Sequence, residues 1–166
     1  TMGVKPLLVI AWGNRSRGDD AVGPLFLDAL RRALGPEELA RVDLLEEHQL
    51  HPELALDLVG RERVLLADAD PEAAAPYALQ AVQAGRDASL ASHALSPSAL
   101  LAVYRELHGR QPPPVTLLGL HARSFGLGRP VSAEADAALP AAVLWALAWI
   151  DGDAPGDWPG RRALSG

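Results

Sequence analysis

The sequence of 166 residues contains no cysteine. Disulfides, thiolate metal sites and cysteine nucleophiles are thereby excluded, and with them the small secreted domains that depend on disulfide staples. Basic residues are outnumbered, 15 against 21 acidic ones, for a formal net charge of −6. That balance repels nucleic-acid phosphates and anionic membrane surfaces, so neither is an expected partner. The first apolar run, residues 7–11, is too short to cross a bilayer and lacks the flanks of a signal peptide. A cytoplasmic protein is the expectation.

What is present is a globular composition, 49% hydrophobic and 22% charged, in a chain of one-domain length. Short apolar runs alternate with helical patterns. Residues 7–11 read as a strand buried on both faces, and Val22, Leu25, Phe26, Ala29, Leu30 and Ala33 recur at helical spacing up to Gly35-Pro36. Further strands are expected at residues 42–45, 64–67, 77–82 and 115–120, and a short helix opens at Pro52. Ser96-Pro97 caps one helix; Ser132 caps a long last helix to Ile150, which Pro140 kinks or delays. The chain divides into a domain at 1–150 and a Pro/Gly-rich tail at 151–166, expected to be loosely ordered. The alternation predicts an α/β fold: a single three-layer domain with a twisted, mostly parallel five-stranded sheet and helices on both faces. Ligands of such sheets gather beyond the carboxyl ends of the strands, near which this reading puts Asp19, Asp20 and Asp68.

The most informative stretch is Gly13-Asn14-Arg15-Ser16-Arg17-Gly18-Asp19-Asp20, directly after the first strand. Gly13 and Gly18 have the spacing of a phosphate loop, but Asp19-Asp20 stands where its Lys-Ser/Thr belongs. Two carboxylates repel a phosphate, so that reading is rejected. The ordinary role of Asp19 or Asp20 is to cap the following helix, yet one carboxylate suffices for a cap. Asp68 at a strand end has turn amides to satisfy, Asp70 reads as a turn residue before Pro71, and a lone loop histidine such as His93 is most often structural or solvated. Together, Asp20, Asp68 and His93 offer two hard oxygen donors and one imidazole, a set suited to nickel, zinc or a similar divalent ion with open positions.

Gly13-Asn14 with Asp19-Asp20-Ala21-Val22-Gly23 resembles the first motif of the hydrogenase maturation proteases. Leu66-Ala67-Asp68-Ala69 is similar to their second motif, and Ser92-His93-Ala94-Leu95-Ser96-Pro97 to their third. Thr116-Leu117-Leu118-Gly119-Leu120 and the terminal helix match the closing elements, so the likeness runs in order to about Ile150. The resemblance implies an endopeptidase that removes the C-terminal extension of a hydrogenase large-subunit precursor once nickel is installed. It implies that Asp20, Asp68 and His93 contact nickel carried by the substrate, with another divalent metal possible in the isolated protein, and that Gly13, Asn14 and Asp19 support the turn. Asp20, Asp68 or the metal would activate the attacking water. Two departures stand out: Ala11 replaces the first glycine of the family's Gly-x-Gly-Asn, and Glu46-Glu47-His48-Gln49 replaces an Asp-Gly-Gly-Thr stretch that helps shape the substrate groove. Which hydrogenase is processed is therefore open, as is whether His48 takes part. His108 reads as a helix-end residue and His121 as a weak candidate at the rim; Trp12 either lines the groove or anchors the core. Two alternatives share part of the pattern: a non-catalytic nickel-sensing chaperone on the same fold, and a receiver-like signalling domain. The acidic pair lies too far past the first strand for the latter, and no Lys ends the last strand.

Overall fold

The computed structural model describes residues 3–85 and 95–154 together with the backbone of residues 161–162. The elements run β1 (Leu7–Trp12), a 3₁₀ turn (Gly18–Ala21), α1 (Val22–Ala33), α2 (Pro36–Leu39), β2 (Val42–Glu47) and a second 3₁₀ turn (Pro52–Leu56). They continue with β3 (Arg63–Asp70), β4 (Tyr77–Val82), α3 (Pro97–His108), β5 (Val115–His121), α4 (Ala133–Asp151) and β6 (Arg161–Arg162). The sheet order is β2-β1-β3-β5-β4-β6. β2, β1, β3 and β5 are parallel, and β4 runs antiparallel to β5. The five expected strands are all present. The sixth, within the expected tail, adds two residues in parallel to β4.

Alternation along each strand divides the core in two. Leu7, Val9 and Ala11 of β1 and Leu65 and Ala67 of β3 face α1 and α4, where Phe26, Leu30, Ala142 and Trp145 cover them. Leu8, Ile10, Val64 and Leu66 face the other way, under α3 and the second 3₁₀ turn, with Leu54, Leu100 and Tyr104. This is the three-layer arrangement that continuous apolar strands predict. Trp12, Asp68 and Asp70 continue the second set, so they emerge on the α3 face beyond its apolar cover.

Several boundaries differ from the sequence reading. β3 does not end at Asp68 but extends to Asp70, paired with β5 as far as Asp70↔His121. Gly35-Pro36 does not close α1; Leu34 does, and Gly35 opens α2, its N–H donating to Glu38 Oε1 at 2.9 Å. α4 is continuous through Pro140, so its regular part is not delayed. It is long and apolar enough to cross a membrane by composition alone, yet half of its most apolar window is buried in the domain.

Pro140 in a helix interior leaves a carbonyl one turn back without its donor. Because Pro140 is exposed, Pro140→Ala restores that bond without disturbing the core and is expected to stabilise the protein by about 2 kcal/mol. Thermal unfolding should shift upward by about 6 °C; a fall would mean that the proline shapes the packing of α4.

Candidate active site

β1 leaves the sheet at Trp12, and the chain doubles back at Gly13, whose φ is +149°. A Cβ there would lie 2.0 Å from the Asp20 carbonyl oxygen, so only glycine permits the approach. The Asn14 N–H donates to Asp20 Oδ2 at 2.8 Å, and Asn14 Oδ1 accepts from the Ser16 N–H at 2.8 Å. Arg15 forks outward, at 2.9 and 3.0 Å to Asp28 of α1 and at 2.8 and 2.6 Å to Glu46 of β2. Its guanidinium holds both carboxyls below their ordinary range. Gly13 and Asn14 thus shape the turn and hold Asp20.

Asp19 does not cap the helix that follows. Neither the 3₁₀ turn nor α1 receives a side-chain cap. Its side chain is instead fully buried. Oδ2 accepts from the Arg123 and Ser124 N–H groups at 2.6 and 3.0 Å and from the Ser132 hydroxyl at 2.7 Å; Oδ1 accepts from the Ser132 N–H at 2.6 Å. Burial alone would raise its pKa, but these bonds outweigh it and hold the carboxyl below its ordinary value.

Asp68 has the opposite environment. Burial pushes its pKa up to about 7, and the nearby charges of Asp20 and Asp70 act in the same sense. The Ala69 N–H, donating to Oδ1 at 2.8 Å, and a hydrogen bond with the Trp12 side chain only partly offset this. Asp20, in the turn after β1, is thus near enough to act electrostatically on Asp68 at the carboxyl end of β3. Beside Asp68 lies a cleft of about 210 Å³ lined by Trp12, Asp68, Asp70, Pro97, Leu117 and Gly119. Gly119 stands opposite Asp68 in the sheet register, and a Cβ on it would meet Asp70 Oδ2 at 2.7 Å. Its missing side chain is the room that Asp70 occupies.

His93 lies outside the described residues. Pro97, in the first turn of the helix that follows it, lines the Asp68 cleft. His48 is exposed and lines a separate opening of about 320 Å³ with Gly13, Arg15, Glu46 and Glu47. His51 Nε2 lies 2.7 Å from Glu47 Oε1, and His121 Nδ1 donates to the Ala73 carbonyl at 2.8 Å. His108 packs against Tyr104 with ring centroids 4.6 Å apart and the planes tilted by 54°, in the last turn of α3. Among the described residues, no three His, Asp or Glu side chains gather closely enough to hold a metal ion by themselves.

Asp70 was read from sequence as a turn residue. It does hold a turn, its Oδ1 accepting from the Glu72 N–H at 2.9 Å, but it also lines the cleft. The signal was its i, i+2 relation to Asp68, visible only if the strand is extended past Asp68. Trp12, partly buried, packs against the α3-side core and lines the cleft.

The raised pKa of Asp68 makes a stability prediction. Its unfolded value is about 3.9, so between about pH 4 and 7 the unfolded chain releases a proton that the folded protein keeps. Stability therefore falls as pH rises through that window, and the penalty is complete above it. Asp68→Asn cannot titrate and should match the wild type in thermal unfolding near pH 4 while exceeding it at pH 8. With partial exposure halving the full linkage, the gain is about 2 kcal/mol, or about 6 °C.

No protein-family model matches the chain, and no curated protein matches it in sequence. Solved structures do match. A [NiFe] hydrogenase maturation protease HycI from Thermococcus kodakarensis superposes with a TM-score of 0.67 at 19% identity, covering 90% of this chain and 94% of that one. The hydrogenase maturating endopeptidase HybD from E. coli gives 0.65 at 23%, again covering 90% and 94%. A hydrogenase 2 maturation peptidase from a Thaumarchaeota archaeon gives 0.59 at 25% identity, covering 90% and 99%. Over nine-tenths of its length, this chain has the fold of the hydrogenase maturation proteases.

Proposed function

We propose that this chain is a hydrogenase maturation endopeptidase, removing the C-terminal extension of a large-subunit precursor that already carries nickel. The observation that supports this most is Asp68 at the carboxyl end of β3, lining an open cleft and within electrostatic reach of Asp20, on this fold. Two carboxylates supply hard oxygen donors to a divalent ion, and His93 is the imidazole that would complete the set. In this reading the metal belongs to the substrate and marks it as ready to be cut.

The chain's own contribution is to present donors and to move protons. A carboxyl with a pKa of about 7 holds a proton at little cost near neutrality and releases it as readily. Asp68 must release that proton to contact the metal, so recognition of the loaded precursor is coupled to pH. Peptide hydrolysis also needs water to be deprotonated and the departing amine to be protonated. Nickel carried by the substrate would lower the pKa of a water beside it, and in this reading Asp20 or Asp68 would accept that water's proton. Asp19 is committed to its four internal hydrogen bonds and takes no part in these transfers.

Incubation with nickel-loaded and nickel-free precursor, read by intact mass, tests the reading. Loss of a C-terminal peptide is expected from the loaded precursor alone. Asp68→Ala and His93→Ala should each slow cleavage by at least about 100-fold while the sheet stays folded. Normal cleavage by either variant overturns the assignment. Binding without any loss of mass would instead favour a nickel-sensing chaperone.

A second consequence concerns pH. Affinity of the wild type for the loaded precursor should be about tenfold lower at pH 6 than at pH 8, following the ionised fraction of Asp68. Titration calorimetry at the two pH values measures it. Equal affinities would remove Asp68 from the contact.

A further inference from the structure

The turn that carries Asp20 is tied by hydrogen bonds to the connection between β5 and α4. The Gly18 N–H donates to the Arg129 carbonyl at 3.1 Å, the Asp19 N–H to the Ser124 carbonyl at 2.6 Å, and the Gly128 N–H to the Ser16 carbonyl at 2.6 Å. A Cβ on Gly18 would lie 2.4 Å from the Ser124 carbonyl oxygen, which shows how close the two segments run. Between them sits the buried Asp19 carboxylate with its four donors. Ser132 is the hinge of this arrangement. Its hydroxyl donates to Asp19 Oδ2 at 2.7 Å and accepts from the Ala135 N–H at 3.2 Å, so one group both anchors the turn and caps α4.

We propose that Asp19 and Ser132 are positioning residues: through them, the β5–α4 connection sets where the Asp20 carboxylate stands. Asp20 is adjacent to Asp19 in a single 3₁₀ turn, so a displacement of one is a displacement of the other. The part played by Asp20 rests on the proposed function; the mechanical link does not. Displacing a reacting group by about 1 Å costs on the order of 100-fold in rate, so a clamp that lines no part of the cleft can still govern turnover.

The Asn14 amide reports the position of Asp20 without metal or substrate, because it donates to Asp20 Oδ2. Asp19→Ala would strand four buried donors and endanger the fold, so Ser132 is the residue to change. Ser132→Ala removes the hydroxyl; Ser132→Thr keeps it. Glu38→Ala, which removes the comparable bond to the Gly35 N–H at the start of α2, controls for a lost helix cap away from the clamp. Amide exchange by NMR should show Asn14 exchanging about tenfold faster in Ser132→Ala. It should show the wild-type rate in Ser132→Thr and in Glu38→Ala. In the cleavage assay Ser132→Ala should lower kcat by tenfold or more at unchanged KM, and Ser132→Thr should restore it.

An unchanged Asn14 rate in Ser132→Ala, with the Ala135 amide showing the cap to be lost, overturns the proposal. So does an equal loss of protection in Glu38→Ala, which would make the effect one of general stability. If the wild type cleaves nothing, the proposed function fails, and the exchange rate still decides this link.

Discussion

A carboxylate with no access to water must find its donors inside the protein or give up its charge. Asp19 finds four of them, from residues more than a hundred positions further along the chain. The first crossover of the sheet and the last helix are thereby made to meet at one buried anion. Three backbone hydrogen bonds run alongside it between the same two segments. Ser132 turns this meeting point into the start of α4, so the longest helix begins where the Asp20 turn ends.

The far end of α4 is held as well. Arg63 Nη1 donates to the Trp149 carbonyl at 2.5 Å with its guanidinium 4.7 Å from the centroid of the Trp149 ring, and Arg41 Nη1 donates to the Ile150 carbonyl at 3.3 Å. Cationic donors on the last carbonyls complement the negative end of a helix. α4 is therefore fixed at both termini, by an anion where it begins and by cations where it ends. Between those points its apolar face covers the α1 side of the sheet.

Asp19 and Asp68 show how one residue type is put to two uses. Both lie near the carboxyl ends of parallel strands and both are taken largely from water. Asp19 is given enough donors that its charge is secured, and its pKa falls. For Asp68 burial outweighs its fewer donors, and the charges of Asp20 and Asp70 add to it, so its pKa rises to about 7. The first is a strut. The second is a group whose ionisation falls near neutral pH.

Much of this was legible in the residues. Continuous apolar strands, helical spacing after residue 22, and serine caps at Ser96 and Ser132 are local signals with local causes, and the elements lie where those signals put them. So is the glycine-rich turn at Gly13, because only glycine accepts that backbone. The resemblance of three short motifs pointed to the fold. What could not be read was partnership across distance. Nothing near Asp19 announces that its donors come from residues 123, 124 and 132, so a cap was the natural local reading. Asp70 was taken for a turn because its second role depends on the space over Gly119, two strands being needed to create it. The sequence by itself determined which segments are strands and helices, since backbone preference and apolar periodicity act over a few residues. Only the tertiary structure decided which aspartate is a strut and which ionises near neutral pH, because that depends on donors and charges brought from remote parts of the chain.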